Sequence, residues 1–410
     1  MNEEENSPVE SVLGGEKLPA HETPIRKKFR AWHRPRKQFI RKHQWIHEIS
    51  NLCGRLTFRD GRPLKYLSLP GDDLLDVRLV RKFCADSGLN LKYLGLNDYH
   101  VTNLAVKTSV HLATSEVNNA GAVHMDSQVI ADRFEQIADE QSTAYQYLQN
   151  YGPFDVVNLD LCSSISPLKP PPLNYYTALG VLARHQLQSR PPNEPWLLLI
   201  TSRAAHSVVH TPDMKKLAQC IAENVAAHND FESRLGGLVT DGPAIASDEN
   251  VVWGNLPQQD FMHLFCVGIG KWLLKLLASC QPRGRVTLTS SYCYRVHANS
   301  PDMVSLAFVM EPHVEAPVDQ TGLAAIAFER PPFDEREYAL GLVDSVSGIG
   351  DIDGYLEQNV DLYERMKEET VELLVSAHYP EALVRDGIAR SEQAARRRAE
   401  IGNPPSGAAA

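Results

Sequence analysis

Three short segments carry side chains whose type and setting could do chemistry. Asn158 and Asp160 end a strongly apolar run, FDVVNLDLC at 154–162. A carboxylate at the end of a buried strand needs a partner or water. Facing a cleft, Asp160 could orient an acceptor amine by accepting its N–H, and Asn158 could supply a matching donor or acceptor. The alternative is a helix N-cap or a buried structural carboxylate. Leu69, Pro70, Gly71, Asp72 and Asp73 close a second run, LKYLSL at 64–69. Ligands of open α/β sheets bind at such carboxyl ends. Asn97 and Asp98 close a third run, LNLKYLGL at 89–96, and a carboxylate there can accept two hydrogen bonds from a diol.

A fourth feature is a basic stretch with no acidic residue: Arg26, Lys27, Lys28, Arg30, Arg34, Arg36, Lys37, Arg41 and Lys42. Phe29, Trp32, His33 and Phe39 are interleaved with it. Cations neutralise phosphates and rings stack on unpaired bases, which points to nucleic acid. The competing reading is a solvated tail, or one attached to an acidic patch of its own chain. Other constellations are weaker. His206 and His210 stand at i, i+4, a metal-ligand spacing on a helix, but no acidic residue completes a zincin motif, and surface histidines are the simpler reading. Cys162 follows the Asp160 strand without the Pro-Cys pair of a methylating nucleophile, so it reads as an inert thiol. No GxxxxGK[ST], GxSxG or GxGxxG occurs, which removes support for a P-loop, a hydrolase elbow and a nicotinamide site.

The chain of 410 residues is 43% hydrophobic with a net charge of -10, an ordinary globular composition. Because the basic stretch is so concentrated, the rest is more acidic than the total suggests. No uninterrupted apolar run reaches about 18 residues, predicting no membrane span. The polar start, MNEEENSPVE, predicts no secretion. Seven scattered cysteines with no CxxC read as free thiols in a cytoplasmic protein.

The elements that must position these residues follow from periodicity. A helix is predicted over 36–53, a strand at 64–69, a helix ending at Gly88 and a strand at 89–96. A polar stretch and a helix over 127–150 come next. The run at 154–162 is the clearest strand, followed by a helix at 173–188, a strand at 194–203 and helices at 213–228 and 259–280. The segment between those two helices reads as a surface loop. The runs at 285–296 and 303–310 form a β-hairpin. Charged helices follow from about 333. Alternating elements of this kind argue for an α/β fold, a doubly wound and mostly parallel sheet with a terminal antiparallel hairpin and helical N- and C-terminal extensions.

The closing hairpin resembles class I S-adenosylmethionine-dependent methyltransferases, whose sheet ends in a reversed strand. Within them, FDVVNLDLCSSISP resembles the catalytic motif of tRNA guanine dimethyltransferases, Asn97-Asp98-Tyr99 resembles their Asn-Asp-Ile, and WLLLITSRA resembles the strand that follows. The resemblance covers about 64–205. It departs where Leu161-Cys162-Ser163 replaces the motif's proline and glycine, and where Gly71 is the one glycine of the first loop. An uncharacterised bacterial family on the same scaffold is the alternative. The resemblance implies a methyltransferase-type domain at 61–315, between a basic helical extension at 25–60 and a helical extension at 316–400 that could meet a protein partner. Leader 1–24 and tail 401–410 read as disordered. It implies S-adenosylmethionine over Leu69, Pro70, Gly71, Asp72, Asn97 and Asp98, catalysis by Asp160 with Asn158, and nucleic acid along Arg26, Lys27, Lys28, Arg30, Arg34, Arg36 and Lys37. The rival is a catalytically inactive, methyltransferase-like binding subunit of a larger nucleic-acid-associated assembly.

Overall fold

The computed structural model describes residues 27–98, 104–239, 253–313 and 333–402. The leader, residues 240–252 of the predicted surface loop and the tail beyond Gly402 lie outside these residues. Eight strands form one mixed sheet in the order β3-β2-β1-β4-β5-β7-β6-β8. They are β1 Leu64–Ser68, β2 Leu91–Leu96, β3 Gln128–Ile130, β4 Val156–Asp160, β5 Trp196–Arg203, β6 Gly284–Tyr294, β7 Met303–Pro312 and β8 Gly350–Asp351. Strands β1 to β5 run parallel. Strand β7 is antiparallel to both β5 and β6, so the predicted hairpin closes the sheet as a reversed strand between two others.

Side chains alternate between the faces, as period two requires. Along β5, Leu197 and Leu199 enter one core while Trp196, Leu198 and Ile200 enter the other. Burial on both faces is why these strands read as continuous apolar runs. The first core is covered by α1, α2 (Leu75–Asp86) and α3 (Leu104–Asn119). Helix α1 is one helical run, α-helical at Pro35–Phe39, π-helical at Ile40–Ile46 and α-helical at His47–Cys53. The second core is covered by α4 (Thr143–Tyr151), α5 (Tyr175–Ser189), α6 (Thr211–Ala227), α7 (Asn229–Gly236), α8 (Gln258–Ser279) and α9 (Glu335–Ser347). Helix α8 is long and apolar enough to span a membrane, but 78% of its apolar window is buried in this fold, so its apolar residues are core.

Two expectations change. The segment at 127–150 is not one helix: it holds edge strand β3, a 3-10 turn at Phe134–Ala138 and α4. Val129, Ile130, Phe134 and Ile137 fall at helical spacing, but Ser142 caps α4 through the Tyr145 N–H at 3.0 Å, starting a new helix there. The basic helix is not an appendage. Phe39, Ile40, Trp45, Ile49 and Leu52 of α1 are buried in the same core as Tyr66 and Val156.

Helices α10 (Ile352–Gln358), α11 (Val360–Val375) and α12 (Glu381–Gly402) complete the described chain. Residues of α11 and α12 form a third, small core with Leu75 and the ring of Phe29. A Cβ at Gly387 of α12 would lie 2.3 Å from Phe29 Cγ, so only glycine lets the N-terminal segment cross there. The segment around Phe29 and helices α11 and α12 are thus packed together beside the β1 loop.

Candidate functional site

The connections run outward from β1 through β2 to β3, then return to β4 on the other side. The strand order reverses between β1 and β4, and the crevice at their carboxyl ends is where such sheets bind ligands. Register places Ser68 beside Gly95 and Asn158, and Asp160 beside Thr201. The predicted loop, Asn158 and Asp160 therefore share one end of the sheet.

The loop is tightly held. Asn97 Nδ2 donates to Pro70 O at 2.6 Å. A Cβ at Gly95 would stand 2.8 Å from Pro70 Cγ, so the loop crosses the end of β2 at glycine-only distance. Leu74, the N-cap of α2, has φ 51°, a left-handed conformation that is uncommon for leucine. Gly71 and Asp72 are exposed and Leu69 is half-buried. Asp73 accepts from Lys27 and, at 2.6 Å, from Tyr379 OH. Asp98 is exposed and accepts from Arg133 Nε at 2.6 Å.

Beneath the crevice lies a buried polar cluster. Tyr66 OH donates to Asp76 Oδ2 at 2.9 Å, Ser68 also donates to Asp76, and Asn158 Nδ2 donates to Tyr66 OH at 2.8 Å. Burial pushes the Asp76 carboxyl up, against the hydrogen bonds from Ser68 and Tyr66. Asn158 Oδ1 is buried without a partner among the described residues. From α1, Lys37 Nζ reaches Asp160 Oδ1 at 2.5 Å. Burial pulls the Lys37 ammonium below the usual lysine range, opposed by the charge of Asp160. Arg41 is buried, donates to Trp32 O at 3.1 Å and leaves its Nε without a partner among the described residues. Two buried cations thus stand beside Asp160 and Asp76.

The basic residues divide by direction. Arg26 lies outside the described residues. Lys27 holds Asp73, Arg36 pairs with Asp353 at 2.9 Å, and Lys37 points into the cluster. Arg34 is half-buried and has interactions of its own. Lys28 and Arg30 are exposed, with the Arg30 guanidinium 5.9 Å from the ring centre of Trp32, itself 45% exposed. Lys37 is therefore directed away from any partner in solvent, while Lys28 and Arg30 face it. His206 packs on the Phe261 ring at 4.1 Å and His210 stands 3.3 Å from Asp213. Among the described residues no group of three His, Cys, Asp or Glu is placed to hold a metal.

Tyr66 and Asp76 of this cluster, and Thr201, Ser305 and Gln44, which continue it from Lys37, were not singled out from the sequence, and Arg41 was named there only as one of the basic stretch. One signal was legible: Lys37, Arg41 and Gln44 fall at i, i+4, i+7 on a helix, so they form a polar stripe next to buried Ile40.

His33 gives a pH test of how the N-terminal segment is seated. It is 1% exposed, edge-on to Phe29, Trp32 and Tyr379, with Nδ1 accepting from Arg30 N at 3.1 Å and Nε2 without a partner among the described residues. Burial, helped by the charge of Arg41, pushes it down from 6.5 to about 3. It stays neutral when folded and takes a proton when unfolded. Its contribution is full above pH 6.5 and is lost as pH falls toward 3, at up to about 1.4 kcal/mol per pH unit. Urea midpoints measured between about pH 7 and pH 4 should fall less steeply for His33→Gln than for the wild type. Parallel slopes would contradict the buried neutral ring.

The fold and site define a doubly wound α/β protein with a polar crevice at its topological switch point. A family model, PP_RS20740-like, matches residues 26–386, and the chain belongs to the PP_RS20740-like family. No curated protein matches it.

Proposed function

We propose that this chain is an S-adenosylmethionine-dependent methyltransferase acting on a base nitrogen of RNA or DNA. The observation that carries the reading is the reversed β7 closing an otherwise parallel sheet, with the β1 loop, Asp98 and Asp160 gathered at one end of it. Leu74 in the left-handed region beside that loop adds support, because such strain collects at binding sites. The orphaned Asn158 Oδ1 and Arg41 Nε are the kind of buried polar atoms that a charged, hydrogen-bonding cofactor would satisfy.

S-adenosylmethionine would supply an electrophilic methyl on its sulfonium. The chain's part is orientation, which supplies much of the rate in such transfers. Leu69, Pro70, Gly71 and Asp72 would form the floor, with Asn97 acting through Pro70. Asp98 would accept from the ribose hydroxyls, displacing Arg133, whose side chain is 54% exposed. Asp160 would accept the acceptor N–H, with Asn158 beside it. Lys28 and Arg30 would meet phosphates, and Trp32 offers a stacking face.

Asp98→Ala is expected to weaken S-adenosylmethionine binding about tenfold or more, the loss of a charge-assisted hydrogen bond. An unchanged calorimetric affinity would refute the ribose assignment. The activity itself is tested by incubating the chain with tritiated S-adenosylmethionine and either total tRNA or duplex DNA. Label in one of them supports the reading. A second reading, an inactive nucleic-acid-binding subunit, is favoured by the engagement of Asp73 by Lys27 and Tyr379, which closes one side of the loop. Retention of nucleic acid without label would support that reading instead.

A further inference from the structure

The two oxygens of Asp160 have different surroundings. Oδ1 accepts from Lys37 Nζ at 2.5 Å, while Oδ2 has no partner among the described residues and the side chain is 25% exposed. Lys37 is 4% exposed and fixed in its turn. Its ammonium lies 4.5 Å from the ring centre of Trp45 and 3.5 Å from Thr201 Oγ1. Behind it, Thr201 Oγ1 and Ser305 Oγ are 3.2 Å apart, and Ser305 Oγ donates to Gln44 Oε1 at 2.6 Å. Gln44 Nε2 donates to Ser305 O at 3.0 Å. This series of contacts starts on α1, crosses β5 and β7 and returns to α1. The inner oxygen of Asp160 is therefore held against both the sheet and the helix.

We propose that Lys37 is a positioning residue, holding Asp160 by its inner oxygen so that the outer oxygen faces the acceptor N–H. The role rests on the methyltransferase reading. A carboxylate tethered at one oxygen has its other lone pairs aimed, and a misplacement of about 1 Å in such a group can lower a rate about 10²-fold. Lys37 touches neither acceptor nor cofactor in this role, so its removal acts on turnover rather than on binding.

The test compares wild type, Lys37→Met, Lys37→Arg and Thr201→Val. Methyl transfer from tritiated S-adenosylmethionine to total tRNA and to duplex DNA is measured beside calorimetric affinity for the cofactor. Expected for Lys37→Met is a kcat lower by about 10²-fold, with KM and cofactor affinity little changed. Lys37→Arg should recover part of the rate, and Thr201→Val should lose a smaller part. Should Lys37→Met fail to fold, the Arg and Val variants decide on the same kcat against KM split. An unchanged kcat, or a rate loss matched by lost cofactor affinity, overturns the positioning role and leaves the methyltransferase reading standing. A wild-type chain that binds no cofactor and labels neither nucleic acid overturns the methyltransferase reading, and the role of Lys37 with it.

Discussion

Asp155→Ala is expected to lower unfolding stability by about 3–5 kcal/mol, the loss that follows when a buried ion pair is deprived of one member. Asp155 is fully buried at the start of β4. Its Oδ1 accepts from Arg62 Nη2 at 2.8 Å and from Arg190 Nη2 at 3.0 Å, and its Oδ2 accepts from Lys65 N at 2.9 Å. The Arg190 side chain is itself fully buried, with Nη1 donating to Phe154 O and Nη2 also to Pro195 O. One carboxylate thus joins β1, β4, the end of α5 and the approach to β5. Removing it leaves the buried Arg190 guanidinium with backbone carbonyls and only the more distant Glu194 carboxylate, at 3.8 Å. Urea unfolding is the measurement, and a loss under about 1 kcal/mol, the scale of an exposed pair, would contradict this account.

Asp160→Ala is expected to reduce methyl transfer at least about 10²-fold, since the group proposed to orient the acceptor is gone. It should also destabilise the chain, because Lys37 would remain buried without its anion. Asp160→Asn separates the two effects. Its amide oxygen can still accept from Lys37, so the fold should be largely preserved while transfer stays slow. A variant with wild-type transfer would remove Asp160 from the site, and an unaltered urea midpoint for Asp160→Ala would mean that Lys37 finds another anion.

Asp155 and Asp160 mark the opposite ends of the same strand. At the amino end Asp155 and Arg190 are dry, and their charges are mutually paired and serve the fold. At the carboxyl end Asp160 keeps one oxygen without a partner among the described residues, and Asn158 and Arg41 each have an atom in that condition. That asymmetry is what separates a structural cluster from a candidate site here.

Much of the scaffold was legible. Strands β1, β2, β4 and β5 are buried on both faces and so appear as short apolar runs ended by turn residues. The hairpin declared itself through its β-branched and aromatic residues. Strand β3 was not legible because it has three residues, two of them only half-buried, and no period to detect. Helix α3 was missed because Thr108, Ser109, Thr114, Ser115 and Asn118 interrupt its apolar stripe, and such side chains favour turns and caps over helix interiors.

The placement of the candidate residues was legible, but their contacts were not. Asp160, Asn158 and the loop at Leu69–Asp73 were placed by strand ends, which the sheet brings together. The basic stretch was read by its charge, which left open nucleic-acid contact, a solvated tail and attachment to an acidic patch of its own chain. Its phase told more. Lys37, Arg41 and Gln44 lie beside the apolar stripe of Phe39, Ile40 and Ile49, so the helix carries them into the core rather than away from it. Asp76 was hidden because an acidic residue in a helix's first turn is ordinary on dipole grounds alone, and nothing local shows that Tyr66 and Ser68 will turn toward it.

The central claim is that the crevice between β1 and β4 holds S-adenosylmethionine, and calorimetric titration of the full chain with that cofactor tests it most directly. The expected result is saturable binding of one cofactor per chain, weakened by Asp98→Ala. No heat of binding at millimolar cofactor would contradict it.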